Sequence, residues 1–325
     1  MKILILGAAG MIGRKLLDHL AEQGTISGVP ITGAVLHDVV ETTPPAAMPF
    51  PVEVLASDYA APGGGERLIA TRPDIIFHLA SIVSGEAEAR FEEGYRINLD
   101  GTRALYEAIR AVPGYVPRLV YTSSLAVFGA PFPEVVDDDY LTAPASSYGV
   151  QKVIAELLLA DYSRKGFLDG VAIRLPTICV RPGRPNAALS GFISGIIREP
   201  LNGLEADLPV DDDLRVWIAS PRAAVGYLVH AASLDTAPLG ARRSLNMPGV
   251  SVTIGDEIEA LRRRAGDAAV NLIRRRPDPA VARVVGGWPR NFTAARAHAL
   301  GFAGDRDFEA ILDAYIEDDF RPAGA

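Results

Sequence analysis

The chain has 325 residues, 49% of them hydrophobic and 22% charged, an ordinary balance for a globular protein long enough to bury a core without staples. A formal charge of −8 excludes the basic face that a nucleic-acid binder carries, and an acidic substrate would have to be held by local arginines. The single cysteine, Cys179, excludes an intramolecular disulfide and suits a reducing, cytoplasmic setting; no Cys/His cluster suggests a metal, and its apolar neighbours Ile178 and Val180 make it a packing residue.

Residues 1–13 contain one lysine and a small, apolar stretch, like a signal peptide, but they read better as a strand (3–6) ending in a turn at Gly7. No other apolar segment approaches the length of a membrane span. A helical period covers 11–22, and strands follow at 31–36, 52–55 and 75–79, the last bounded by Pro73-Asp74. A long helix is expected over about 87–111, a strand over 119–122, and a Pro- and Asp-rich loop over 131–144. A helix over 147–164 then leads to a strand over 171–175. Near-continuous apolar strands alternating with helices predict a parallel sheet covered on both faces, with right-handed crossovers. After Arg174 the texture changes: prolines and arginines crowd 176–185, strands become scarce and short, and 221–234 reads as a helix packing back on the first domain.

Gly7-Ala8-Ala9-Gly10-Met11-Ile12-Gly13 lies where the first strand becomes the first helix. Glycines there allow a tight turn and bring backbone N–H groups, including those of Met11 and Ile12, to a pyrophosphate at the positive end of the helix. Asp38 closes the second strand 25 residues beyond Gly13, where a carboxylate accepts ribose hydroxyls and repels a 2′-phosphate. No Lys or Arg occurs between Lys15 and Arg67, so NAD is favoured over NADP, although Arg14 is a cation close to the loop. Ser57-Asp58 follows the third strand, at the adenine end, and Leu79-Ala80-Ser81 follows the fourth, beside the nicotinamide ribose. Both fall at the carboxyl ends of strands, where an open α/β sheet binds ligands. The expected fold is therefore α/β: a Rossmann-type doubly wound parallel sheet (1–175 plus about 219–236) with a smaller C-terminal substrate-binding cap (about 176–218 and 237–325).

Tyr148 and Lys152 are four residues apart, on one face of a helix and one turn apart. A free tyrosine, with a pKa near 10, is a poor base at neutral pH, and an adjacent cation stabilises its phenolate. Upstream, the fifth strand ends in Thr122-Ser123-Ser124, where a serine hydroxyl can bond the substrate oxygen that Tyr148 deprotonates.

Taken in order, Gly7/Gly10/Gly13, Asp38, Asp58, His78-Leu79-Ala80, Asn98, Ser123-Ser124, Tyr148/Lys152 and Arg174 resemble the extended short-chain dehydrogenase/reductase family, home of the nucleotide-sugar epimerases and dehydratases. The resemblance covers the whole first domain. It implies Ser124, Tyr148 and Lys152 as a catalytic triad, with Tyr148 and Lys152 also touching the cofactor. It further implies Asn98 as the family's structural asparagine at the cofactor site, Pro176 beside the cofactor, and a homodimer built from helices 87–111 and 147–164. Val153, Leu157 and Ala160 would serve either that interface or the internal core. Phe128 stands where many relatives have Tyr, and Arg215-Val216-Trp217-Ile218 keeps the arginine of a sugar-nucleotide motif but lacks its Asp and His. The stretch 174–186, with 211–221, looks like the D-erythronate dehydrogenase branch. That branch oxidises the 2-hydroxyl of a small anionic sugar acid to a 2-oxo acid. Ser81, Ser124, Thr177, Arg181, Asn186 and Arg215 are the expected substrate contacts, with Arg181, Arg184 and Arg215 as alternatives for its carboxylate. Arg174, inside a strand, reads as structural. Two alternatives remain: a nucleotide-sugar 4-epimerase or dehydratase that keeps its NAD bound, and a non-enzymatic NAD-sensing protein, which would normally have lost Tyr148 or Lys152.

Overall fold

Short apolar runs assemble into a seven-stranded sheet: β1 (Lys2–Leu6), β2 (Gly33–Asp38), β3 (Val52–Ala56), β4 (Ile75–His78), β5 (Arg118–Ser124), β6 (Asp169–Leu175) and β7 (Ser244–Asn246), in the order β7-β6-β5-β4-β1-β2-β3. This computed structural model describes residues 1–183 and 189–321, so the expected substrate contacts Arg184 and Asn186 lie outside the described residues. The β1/β2, β2/β3, β1/β4 and β4/β5 pairs run parallel, with Leu4 opposite Val35 on one side and Ile76 on the other. Ile3 to Leu6 are wholly buried, as expected of strands covered on both faces. The chain builds outward from β1 through β2 to β3, then returns to the other side of β1 with β4. That reversal opens a crevice beyond the carboxyl ends of β1 and β4, the place where such sheets bind ligands.

Helices α1 (Met11–Gln23), α2 (Gly64–Ala70), α3 (Thr102–Arg110) and α4 (Ser147–Arg164) accompany the sheet. α1 buries Leu16, Leu17 and Leu20 and ends at Gly24 in the left-handed region. The long helix expected over 87–111 is instead a succession of Ser84–Ala89, Phe91–Tyr95, a widened π turn at Arg96–Gly101, and α3. The wider turn buries Asn98, a polar residue that a 3.6-residue apolar stripe would not carry inward.

The chain divides into two compact units: 1–127, 144–174 and 225–245 in the first, and 128–143, 175–224 and 246–325 in the second. The division differs from the expected one in three places. Residues 128–143 join the second unit, 219–224 stay with it, and 237–245 join the first, because β7 adds to the large sheet beside β6. The helix Pro221–Ser233 passes from one unit to the other, and its buried Leu228 and Ala231 belong to the first.

The second unit has short strands and its own core. Val250–Thr253, Arg215–Ala219 and Thr177–Ile178 form one small sheet, and Ala206–Leu208 with Ile273–Arg275 another. Cys179 is fully buried there, its Sγ 3.7 Å from the Ile193 carbonyl, so it packs as expected. Glu257 shares that core at 0% exposure, and neither carboxyl oxygen has a hydrogen-bond partner among the described residues. Burial pushes its pKa well above the usual carboxylate range, so the folded chain keeps this group protonated while the unfolded chain ionises it. Its contribution therefore makes stability fall as pH rises above about 4.3. Glu257→Met removes the unsatisfied group, and urea unfolding is expected to show a gain of about 1–3 kcal/mol. The gain should be larger at pH 8 than at pH 5; equal gains at both would contradict this account.

Candidate active site

The glycine loop is built by contacts that exclude side chains. Gly7 has φ +96°, and a Cβ on it would lie 2.6 Å from the Ala80 nitrogen; a Cβ on Gly13 would lie 2.3 Å from the Gly7 carbonyl oxygen. Gly7 and Ala8 both donate N–H bonds to the His37 carbonyl, at 2.8 and 3.0 Å, which ties the loop to the end of β2. Gly10 differs: its added Cβ would meet nothing nearer than the Gly7 oxygen at 3.4 Å, so its exposed backbone lets a ligand come close. The first helical bond of α1 runs from Arg14 N–H to Gly10, which leaves the N–H groups of Met11, Ile12 and Gly13 without partners in the helix. Such a cradle fits a pyrophosphate.

Asp38 stands at the rim of this loop. Its Oδ2 accepts the Ala9 N–H at 2.9 Å and its Oδ1 the Val39 N–H at 2.8 Å, so the carboxylate is held in place with lone pairs left for ribose hydroxyls. Ser57 donates its backbone N–H to the Asp38 carbonyl, and its hydroxyl lies 2.9 Å from His37 Nε2. Burial lowers the His37 pKa, so the imidazole is a neutral hydrogen-bonding group there. Asp58 accepts the Ala60 N–H and pairs with Arg96 at 2.7 Å. Leu79 and Ala80 donate N–H bonds to the Leu6 carbonyl, holding the β4 end against the glycine loop.

Asn98 is 2% exposed. Its Oδ1 accepts from Ser81 Oγ (3.0 Å) and Ile82 N–H (2.8 Å), and its Nδ2 donates to the Ile82 carbonyl (3.0 Å) and Gln151 Oε1 (2.8 Å). These bonds engage both ends of the Asn98 amide. It ties the 81–82 turn to α4, and Ser81 is bound to it.

At the other end, α4 starts at Ser146, whose hydroxyl accepts the Gly149 N–H at 3.1 Å. A Cβ on Gly149 would fall 2.1 Å from the Ala126 carbonyl oxygen, so only glycine lets the first turn of α4, with Tyr148, press against the turn after β5. Ser124 Oγ accepts the Ala126 N–H at 3.1 Å in that same turn, a role that leaves its O–H to donate. Lys152 is 2% exposed; its Nζ donates to the Thr122 carbonyl at 2.8 Å and lies 4.8 Å from the Tyr121 ring centroid and 5.4 Å from that of Tyr148. Burial lowers its pKa to about 7, against the opposing pull of Glu156. His78, with its pKa pushed to about 3 by burial and by Lys152, is neutral. The structure thus gathers Ser124, Tyr148 and Lys152 at the β5 end. Arg174 proves structural: it makes a bidentate pair with Glu156.

In the second unit, Pro176 is buried and Thr177 pairs with Ile218 in the small sheet. Arg181 folds back on its own unit, Nε to the Ile178 carbonyl at 2.9 Å and Nη2 to Ser190 Oγ at 2.5 Å. Arg215 is exposed, with Nη1 bound to the Ser251 carbonyl at 3.1 Å. Glu156, Gln151, Gly149 and His37 went unassigned from sequence; the one available signal was that Glu156 lies four residues beyond Lys152, on the same helical face.

Three comparisons bear on this geometry. The model of the "NAD dependent epimerase/dehydratase family" matches residues 3–219. The D-erythronate dehydrogenase of Cupriavidus necator is 48% identical over 98% of each chain, and that of Haemophilus influenzae 40% identical over 98% of this chain and all of its own. A crystal structure described as a nucleoside-diphosphate-sugar epimerase from Agrobacterium tumefaciens is 55% identical, with a TM-score of 0.96 over 98% of this chain and 94% of its own. UDP-glucose 4-epimerases are more distant, that of Streptomyces lividans at 26% identity over 86% of each chain. The chain uses a nicotinamide cofactor and belongs to the NAD dependent epimerase/dehydratase family.

Proposed function

We propose that this chain is an NAD-dependent dehydrogenase that oxidises the 2-hydroxyl of a small sugar acid of the D-erythronate kind to the 2-oxo acid. The observation that carries the reading is the fixed placement of Lys152 one turn from Tyr148 at the Ser124 end of β5, in a chain nearly half identical to a D-erythronate dehydrogenase over its full length. When bound, NAD supplies the hydride acceptor. Gly7, Gly10, Met11, Ile12 and Gly13 would hold its pyrophosphate and Asp38 its adenosine ribose. Tyr148 removes the hydroxyl proton, Lys152 stabilises the phenolate and bonds the nicotinamide ribose, and Ser124 donates to the substrate oxygen. For the substrate carboxylate, Arg181 and Arg215 are the proposed alternatives. NADH accumulating at 340 nm with D-erythronate tests the reading. The epimerase reading draws on the description of the Agrobacterium structure, and it requires turnover of a nucleotide sugar with no net NADH.

NAD is the proposed cofactor rather than NADP, on the strength of Asp38 and the absence of Lys and Arg from 16 to 66. Asp38→Ala is expected to erode the NAD/NADP ratio of kcat/KM by about tenfold or more, the scale of one lost charge contact near a protein surface. An unchanged ratio would remove Asp38 from that role. A homodimer in a reducing cytoplasm completes the proposal. On α4, Leu157 is 66% exposed and Val153 and Ala160 are half-buried, so they are not core residues, and Phe91 is 57% exposed. Light scattering should find two copies per particle at micromolar concentration; a stable monomer would reject the dimer.

A further inference from the structure

We propose that Glu156 is a positioning residue for the reaction: its carboxylate, one helical turn beyond Lys152, seats that lysine as a cation and locks α4 to the ends of β5 and β6. The inference rests on the dehydrogenase reading only in giving Lys152 a part in the reaction.

Glu156 is 4% exposed and fully engaged. Its Oε1 accepts Ser123 Oγ at 2.5 Å and Arg174 Nε at 2.9 Å, and its Oε2 accepts Arg174 Nη2 at 2.7 Å. The bidentate guanidinium and the hydroxyl provide the charge-assisted donors that a buried carboxylate needs. Ser123 sits between Thr122, whose carbonyl receives Lys152 Nζ, and Ser124, the proposed substrate donor. One carboxylate therefore ties together the strand end that carries both and the helix that carries Tyr148 and Lys152.

The groups facing Lys152 show what the charge does there. From its own helix come Tyr148 and Glu156, from β5 Tyr121, from β4 His78, and from β6 Arg174 through its pair with Glu156. Burial holds Tyr121 in its neutral phenol form, and His78 is neutral too, so Glu156 is the carboxylate among these groups. An ammonium buried to this degree is disfavoured by desolvation, which Glu156 opposes. Without that anion, Arg174 and Lys152 would remain as two buried cations.

The test reads Lys152 directly, in the full-length chain without cofactor or substrate. There are only four lysines, Lys2, Lys15, Lys152 and Lys165, so carbon-13 label at lysine Cε gives few resonances, and Lys152→Arg identifies the right one. In the wild type its titration midpoint is expected near 7. Glu156→Gln should move the midpoint down by about one pH unit or more, the effect of removing an adjacent opposite charge. Glu156→Asp, which keeps the charge, should restore it toward the wild-type value. Where Glu156→Gln does not fold by circular dichroism, the double variant Glu156→Gln/Arg174→Gln, which removes the Arg174 cation together with its partner, is read instead, with a smaller downward shift expected. A midpoint unmoved in the folded variant would overturn the proposal and leave Glu156 a purely structural ion-pair partner. Because the measurement involves no turnover, that outcome leaves the dehydrogenase reading standing, and a failure of NADH to appear leaves this titration intact.

Discussion

Tyr148→Phe is expected to lower kcat about 10²- to 10⁴-fold, the usual loss when a positioned general acid/base is removed, while NAD still binds. The variant keeps the ring beside Lys152 and loses only the hydroxyl that carries the proton. The glycine loop and Asp38 are untouched, so NAD titrated by fluorescence should give a nearly unchanged Kd. Lys152→Ala should behave differently, weakening NAD binding and turnover together, because one ammonium serves both the phenolate and the ribose. It also leaves the Thr122 carbonyl without its donor. A Tyr148→Phe enzyme with near-normal turnover would take the tyrosine out of the mechanism.

Gly13→Ala is expected to weaken NAD binding by about 5- to 150-fold, the equivalent of the roughly 1–3 kcal/mol that overpacking costs. The added methyl would sit 2.3 Å from the Gly7 carbonyl oxygen and 2.9 Å from Ala8 Cα, both backbone atoms that cannot rotate away. To relieve the clash the loop must lift from the start of α1, which disturbs the N–H groups aimed at the pyrophosphate. Gly10→Ala is the informative comparison, since its methyl meets only one atom, at 3.4 Å, and the apo protein should tolerate it. Isothermal titration of both variants distinguishes a loop deformed before NAD arrives from one that is merely crowded when it binds. Equal, wild-type affinities would show that the loop does not hold the cofactor.

The parts of the fold that could be read from sequence are those in which local pattern and tertiary role coincide. Buried parallel strands are apolar runs whatever their neighbours, so β1, β4, β5 and β6 were legible within a residue or two. The glycine loop was legible because its spacing is itself the geometry. Helix α2 was hidden by Gly63-Gly64-Gly65, poor helix formers that are present because a Cβ on Gly64 would fall 2.3 Å from the Tyr59 carbonyl oxygen. The site followed the same division. Tyr148 and Lys152 declare themselves by spacing on one helix, whereas the meaning of Glu156 depends on Ser123 and Arg174, 33 and 18 residues away on two strands. Asn98 was recognisable as structural by resemblance, but its bonds to Ser81, Ile82 and Gln151 are visible only in the fold. In the second unit the strands are two to five residues long, too short to carry a clear periodicity.

The outermost strand, β7, comes from residues 244–246, far along the chain from its neighbour β6. A chain ended after Leu175 would therefore not be a trimmed nucleotide-binding domain. It would lack the segment whose Arg243 carbonyl receives the Ala172 N–H, and the Ala231 and Leu234 carbonyls that hold the Arg118 guanidinium. β6 would become an open edge of unpaired donors and acceptors, a template for strands of other molecules. Any minimal fragment meant to stay monodisperse and bind a dinucleotide has to carry residues 225–245 along with the amino-terminal segments, and a plain truncation is a recipe for self-association.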